Sequence, residues 1–318
     1  MIGVELVYRL AGTVVGIVAF VNARDQANPK RWRNTAFWGF YAVSLLFGSR
    51  LPDFVNGCLV IGLVLVAALG GLGQGAPRTT SPEEQRASAE RFGHRVLVPA
   101  LLVPAGTLLV TFVVRRVEVG NAPLVDPKNV SLVALAFAAL ASLVLALRML
   151  RQPLLAPARE ARRLMDLVGW AAILPQMLAA LGALFAMAGL GDRVAELLGR
   201  VVPLDQPFAV VAAYTFGMAL FMMVMGNAFA AFPVMTTAIG IPLVVRRFGG
   251  DPAVMAALGM LSGFCGTLMT PMAANFNVVP AALLELPDRN AVIRAQVPTA
   301  LVLLVGNTWL MYLCVFRR

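Results

Sequence analysis

The sequence predicts an all-α polytopic membrane protein, with about nine transmembrane helices plus re-entrant or broken helical hairpin segments. Three observations predict it. Of the 318 residues, 59% are hydrophobic and 13% are charged, and the mean hydropathy is +0.81; a soluble domain carries about 25% charged residues. The apolar runs are long and continuous rather than alternating, which is not the pattern of a transmembrane β-barrel. Two apolar stretches, 226–242 and 266–280, are broken by Gly and Pro and carry uncharged hydrogen-bonding side chains. Irregular backbone at membrane depth is tolerated only where protein buries it or where it lines a watery cavity.

In chain order, the first span covers Val4–Val21; Glu5 and Arg9 interrupt it, so it reads as a retained helix and not a cleaved signal. The basic segment Asn22–Asn34 leads to a short aromatic second element, Thr35–Gly48, and then to a third span, Val55–Leu72, that ends in a run of glycines. The polar loop 73–95 contains Ser81-Pro82-Glu83-Glu84, a capping box with Pro at N1, which predicts a soluble helix over Pro82–Phe92. The fourth span is Val96–Val114, with Pro99 and Pro104 inside, and the fifth is Val130–Leu150. A basic connection, Arg151–Arg163, precedes the sixth span, Leu164–Leu190. The amphipathic connection Gly191–Gln206 reads as a surface-lying segment. The seventh span, Pro207–Met225, and the eighth, Pro252–Leu268, each run into one of the broken stretches, and Val297–Phe316 is the last. Two regions result: 1–206, scaffold-like helices with the polar loop, and 207–318, the region of the broken helices.

The formal charge is +10, but the basic residues punctuate apolar spans without stacking aromatics beside them. That pattern belongs to topology signals and lipid headgroups and not to nucleic acid. With the N-terminus outside, the C-terminus cytoplasmic and Asn227–Val245 entering and returning on the cytoplasmic side, about two basic residues lie inside for each one outside. The count therefore favours a re-entrant hairpin at that point, with nine spans, over a further full crossing.

Enzymatic sites find little to build on. Cys58, Cys265 and Cys314 lie in apolar runs without metal-ligand spacing, His94 is the lone histidine, and neither a triad nor a phosphate-binding loop can be assembled. We therefore expect no enzyme, no metal centre and no cofactor. Asp166, at the entry of the sixth span, is the one acid that stays open for proton chemistry.

The broken stretches carry the chemistry. Proline removes a donor and frees a carbonyl one turn back. Gly226, Pro233, Gly240 and Pro242 mark breaks in the first stretch, with Pro233 and Pro242 bracketing a hairpin tip; Pro271 and Pro280 bracket the second. Asn227, Thr236, Thr237, Thr270, Asn275 and Asn277 supply polar side chains and are the candidate contacts to substrate or coupling ion. Freed carbonyls and Asn side chains suit a desolvated cation such as Na⁺, and a helix restarting after a break presents N–H groups to a carboxylate. The Asn275–Asn277 segment would be unwound, with Pro280 in the first turn of a half-helix Val279–Leu286. Asn and Thr in membrane helices also serve helix packing alone, which is the plainer reading of any one of them. The run Met218, Met222, Met223, Met225 reads as adaptable packing, and Phe229, Phe232 and Phe276 as packing or gate residues.

The runs Gly226-Asn227-Ala228-Phe229-Ala230-Ala231-Phe232-Pro233 and Thr270-Pro271-Met272-Ala273-Ala274-Asn275-Phe276-Asn277-Val278-Val279-Pro280-Ala281-Ala282-Leu283 resemble a bacterial membrane family described as one subunit of a 5-oxoproline (pyroglutamate) permease. The resemblance implies a split member of the ion-transporter superfamily, whose members use two re-entrant hairpins. It also implies a second, smaller membrane subunit that supplies the other hairpin, and a place in the bacterial inner membrane. The expectation is a permease subunit for secondary active transport of a small carboxylate, 5-oxoproline by the resemblance, with cation coupling. The alternative is a non-transporting membrane scaffold or assembly subunit of a larger complex.

Overall fold

The computed structural model describes residues 3–69, 71–73, 75, 81–114, 116, 118–119, 122–123, 125–127, 129–201, 203 and 205–317. Arg78, Arg115, Lys128 and Arg318, which enter the charge count, lie outside the described residues, as does the side chain of Phe229. The chain is an all-α polytopic membrane protein. Among the described residues, 6 helical stretches are long and apolar enough to cross a bilayer: Val4–Ala23, Arg86–Val114, Val130–Leu150, Ala156–Phe185, Pro207–Met225 and Ala291–Val315. Asp53–Ala68 and Pro252–Leu268 are shorter apolar helices. The chain divides into two compact units, Met1–Asp166 and Leu167–Arg318.

In the first unit, α1 (Val4–Ala23) packs along α2 (Arg31–Phe47), and α2 along α3 (Asp53–Ala68). Gly12 lets α1 and α2 approach closely, since a Cβ there would come within 2.7 Å of Leu46 Cγ. The helix α2 starts inside the basic segment, four residues before the expected Thr35, so Arg31 and Arg33 are helical. The capping box forms as the sequence requires: Ser81 Oγ accepts from Glu84 N, Glu84 Oε2 accepts from Ser81 N, and α4 covers Pro82–Phe92. A 3₁₀ turn, Gly93–Val96, joins it to α5 (Leu97–Val114), which packs on α6 (Val130–Leu150). Leu101, Leu109 and Phe112 on α5 are 64%, 66% and 64% exposed. Such a run of bare apolar side chains suits hydrocarbon and not water.

The basic connection Arg151–Arg163 is a correction. It is largely helical, because α7 occupies Ala156–Val168 and sets Arg159, Arg162 and Arg163 at helical spacing on an amphipathic element. The expected sixth span is correspondingly divided. Gly169, at φ +61°, opens a 3₁₀ turn over Gly169–Ile173, and α8 follows at Leu174–Met187. The amphipathic segment beyond it forms α9 (Leu190–Val201).

The second unit is built around α10 (Pro207–Met225), α12 (Pro252–Leu268) and α14 (Ala291–Val315), which pack on one another. Pro207 takes the N1 position of α10, and Asp251 caps α12 by accepting from Ala253 N (2.7 Å) and Val254 N (3.0 Å). One face of α12 is small. A Cβ at Gly259 would meet the Tyr214 ring, one at Gly263 the Met222 side chain, and one at Gly266 the Ala219 carbonyl. Small residues of this kind let membrane helices approach backbone to backbone. Met218, Met222, Met235, Met255 and Met311 fill the core around Tyr214, in line with the packing reading of the methionine run.

The second correction concerns Asn227–Val245. No turn separates Pro233 from Pro242. The helix α11 (Ala228–Met235) continues without a break into a π-helix, Thr236–Arg247. The wider π turn accommodates Pro242, whose missing N–H would otherwise leave a gap in the ladder. Thr237 Oγ1 helps by donating to the Pro233 carbonyl (2.9 Å) and the Val234 carbonyl (3.0 Å).

Candidate functional site

The first break lies where α10 ends. Gly226 adopts φ +72°, the left-handed conformation that closes a helix and that L side chains rarely take. The chain reverses through Gly226-Asn227 and re-enters helix at Ala228, with α11 packed back on α10. A Cβ at Gly226 would lie 2.5 Å from the Met272 carbonyl oxygen and 2.8 Å from Leu178 Cδ1. The first break therefore sits directly against the second.

The second break is residues 269–277, between α12 and α13 (Val278–Leu283). The expected unwinding around Asn275–Asn277 is present, and Pro280 lies in the first turn of the short helix that follows. Thr270 is buried; its Oγ1 donates to the Met223 carbonyl near the end of α10 (2.8 Å) and accepts from Met272 N (3.2 Å). Asn277 is fully buried. Its Nδ2 donates to the Thr267 carbonyl (2.8 Å) and to the Thr270 carbonyl (2.6 Å). Two carbonyl acceptors fix which end of the amide is nitrogen. The other end, Asn277 Oδ1, is buried without a hydrogen-bond partner.

Chemically, this is a buried, uncharged cluster of oxygens. The C-terminal ends of α10 and α12, which carry partial negative charge, face it through the Met223 and Thr267 carbonyls. An amide oxygen without a hydrogen-bond partner in such a place has the chemistry to ligate a desolvated monovalent cation.

Of the six candidate contacts, the structure brings Thr270 and Asn277 together and sets Asn227, half-buried, in the adjoining turn. It does not gather the others. Asn275 is exposed, as are Pro233 and Pro271. Thr236 is half-buried with its Oγ1 3.3 Å from Tyr214 Oη, a contact between the π-helix and α10. Thr237 turns its hydroxyl onto its own helix. Gly240 is buried against Met255 and Tyr214, so it serves packing rather than a break. The sequence reading missed Tyr214, which anchors Thr236 and lies against Gly259. It also missed the paired hydroxyls of Thr215 and Thr308, 2.8 Å apart between α10 and α14. Tyr214 and Thr215, adjacent polar residues inside an otherwise apolar span, were the available signal.

A family model described as "Protein of unknown function (DUF979)" matches residues 5–316. No curated protein matches the chain. A solved structure, the crystal structure of the YdaH transporter of Alcanivorax borkumensis, is similar at 16% sequence identity over 98% of this chain and 78% of that one, with a TM-score of 0.34. A TM-score this low fixes neither fold nor function. The match to the family model spans nearly the whole sequence, and the chain belongs to the DUF979 family.

Proposed function

We propose that this DUF979 chain is a membrane permease subunit that moves a small carboxylate across the bacterial inner membrane by secondary active transport, coupled to a monovalent cation. One observation carries the reading. Two interrupted membrane segments meet at a buried, uncharged oxygen cluster in which Asn277 Oδ1 has no hydrogen-bond partner. A protein that needed these segments only for packing would gain by satisfying or removing that oxygen. Na⁺ fits the donor set, because Asn and carbonyl oxygens coordinate it without a counter-charge. The carboxylate would be met by backbone N–H groups where helix restarts after a break.

5-Oxoproline, a carboxylate with a ring amide, is the substrate we put forward, on the resemblance of residues 226–233 and 270–283 to a 5-oxoproline permease subunit. A smaller membrane subunit would complete the transporter. The scaffold alternative draws support from Thr236 and Thr237, whose hydroxyls are engaged in helix contacts.

The test is uptake of labelled 5-oxoproline into proteoliposomes, with and without an inward sodium gradient, for this chain alone and with the smaller subunit. Sodium-dependent uptake that requires both chains is the expected result. Folded protein with no uptake under any gradient would remove the substrate and favour the scaffold.

A further inference from the structure

The first unit holds a second polar cluster, unrelated to the broken helices, around the acid left open by the sequence. Asp166 is 4% exposed. Its Oδ1 accepts from Trp38 Nε1 (2.8 Å) and Asn22 Nδ2 (3.1 Å). Asn34 Nδ2 donates to Asn22 Oδ1 (3.2 Å), and Asn22, Asn34 and Trp38 are all fully buried. Asn34 also exchanges two hydrogen bonds with the Gly73 backbone, so α1, α2, α7 and the loop at Gly73 are tied together here.

The two oxygens of Asp166 are treated very differently. Oδ1 has two neutral N–H donors, whereas Oδ2 is buried without a hydrogen-bond partner. The guanidinium of Arg162, one turn earlier on α7, gives its close contact to Asp25, with Nη1 2.9 Å from Asp25 Oδ2. Its Nε stays 4.0 Å from Asp166 Oδ2. An ion pair built for stability would place the guanidinium fork on the buried carboxylate. Here one cation stands between two acids. With both acids ionised the three groups sum to one negative charge; with a proton on Asp166 they sum to none.

Other charged or titratable groups on the packed elements are Arg159 and Arg163 on α7, the latter paired with Glu160; Tyr8 and the Glu5–Arg9 pair on α1; Arg24, stacked over Phe20 at the end of α1; Lys30, whose ammonium lies near Gly71; and Arg31, Arg33 and Tyr41 on α2. Arg162 makes an ion-pair contact to Asp166.

We propose that Asp166 is a proton-binding site, with the proton carried on Oδ2 and Arg162, shared with Asp25, as the cation that partly offsets the carboxylate when the proton leaves. The step is a simple acid–base exchange. Oδ2 takes a proton from hydronium or a water chain, Oδ1 keeps its bonds from Trp38 and Asn22, and Arg162 remains on Asp25. The edge of the cluster is open at Arg162 and Asp25, whose side chains are 14% and 12% exposed. The ligand is the proton itself, and the site stands independently of the cation cluster in the second unit.

The test is infrared difference spectroscopy of the intact protein in lipid bilayers, titrated over about pH 4–9. A carbonyl-stretch band of a protonated carboxylic acid should appear and titrate in the wild type and vanish in Asp166→Asn, which keeps an oxygen for Trp38 and Asn22. Asp25→Asn releases Arg162 towards Asp166 and should move the midpoint to lower pH by about one unit or more. The absence of a titrating band in folded wild-type protein overturns the proposal, as does a band unchanged in Asp166→Asn. Where that variant does not fold, a wild-type band whose midpoint Asp25→Asn leaves in place overturns it equally.

Discussion

Asn275 and Asn277 look equivalent in the sequence, and replacing each by Ala separates them. Asn277 Nδ2 makes two hydrogen bonds in a fully buried setting. Each is worth about 0.5–1.5 kcal/mol net, with an average near 0.6 kcal/mol inside membrane proteins. Losing both costs about 1–3 kcal/mol, and the Thr267 and Thr270 carbonyls, deprived of that donor, push the loss upward. Deleting Oδ1 works the other way, because it removes a buried acceptor that has no hydrogen-bond partner. The net expectation for Asn277→Ala is a loss of about 2 kcal/mol, roughly 30-fold in the folded-to-unfolded ratio. Asn275 is exposed, so Asn275→Ala should stay within about 0.5 kcal/mol of wild type. The assay is reversible unfolding of purified protein in bicelles by a denaturing detergent, run in choline and in sodium salts. An ion bound only by the folded state adds about 2.7 kcal/mol at a hundredfold excess over its Kd. Sodium should therefore stabilise wild type and Asn275→Ala and leave Asn277→Ala where it was. Equal losses in the two variants would refute the assignment of the buried role to Asn277. Equal sodium stabilisation in all three would refute the cation reading.

Two further substitutions probe how the site is held. Gly226→Ala must place a side chain at φ +72°, at a cost of about 1–2 kcal/mol, and must drive its Cβ into the Met272 carbonyl. It should destabilise the protein by about 2–4 kcal/mol in the same unfolding assay, and a neutral result would mean that the two breaks do not touch. Gly266→Ala forces α12 off the Ala219 carbonyl of α10. A loss of about 1–3 kcal/mol is expected, with faster hydrogen exchange at the α10 and α12 ends that face Thr270.

Much of the fold was legible because bilayer physics leaves few choices. Apolar length and hydrogen-bond closure define a span, so Val130–Leu150 and Pro207–Met225 were bounded to the residue, as was the shorter apolar helix Pro252–Leu268. The soluble helix Pro82–Phe92 was equally plain, since Ser81 and Glu84 sit at the spacing that satisfies two orphan N–H groups. The errors fell where hydropathy and helicity part company. Residues 156–163 are too charged to read as a span, yet Ala, Glu and Arg are good helix formers, and α7 forms across the expected connection.

The site was legible only in half, and the reason lies in how glycine and proline act. Both prolines of the first stretch suggested a hairpin tip, but a missing N–H can be absorbed by widening the turn, and the helix from Ala228 to Arg247 does so. Gly226, by contrast, takes a conformation few other residues adopt without strain, and there the chain reverses. Asn277 became buried and Asn275 exposed through the path of a nine-residue irregular segment, which has no periodicity to read. Asp166 shows the same limit from the other side. Its acid was visible, but its partners Asn22, Asn34 and Trp38 lie more than a hundred residues away in sequence. The asymmetry between its two oxygens is a property of that meeting, and it is the feature from which a proton site follows.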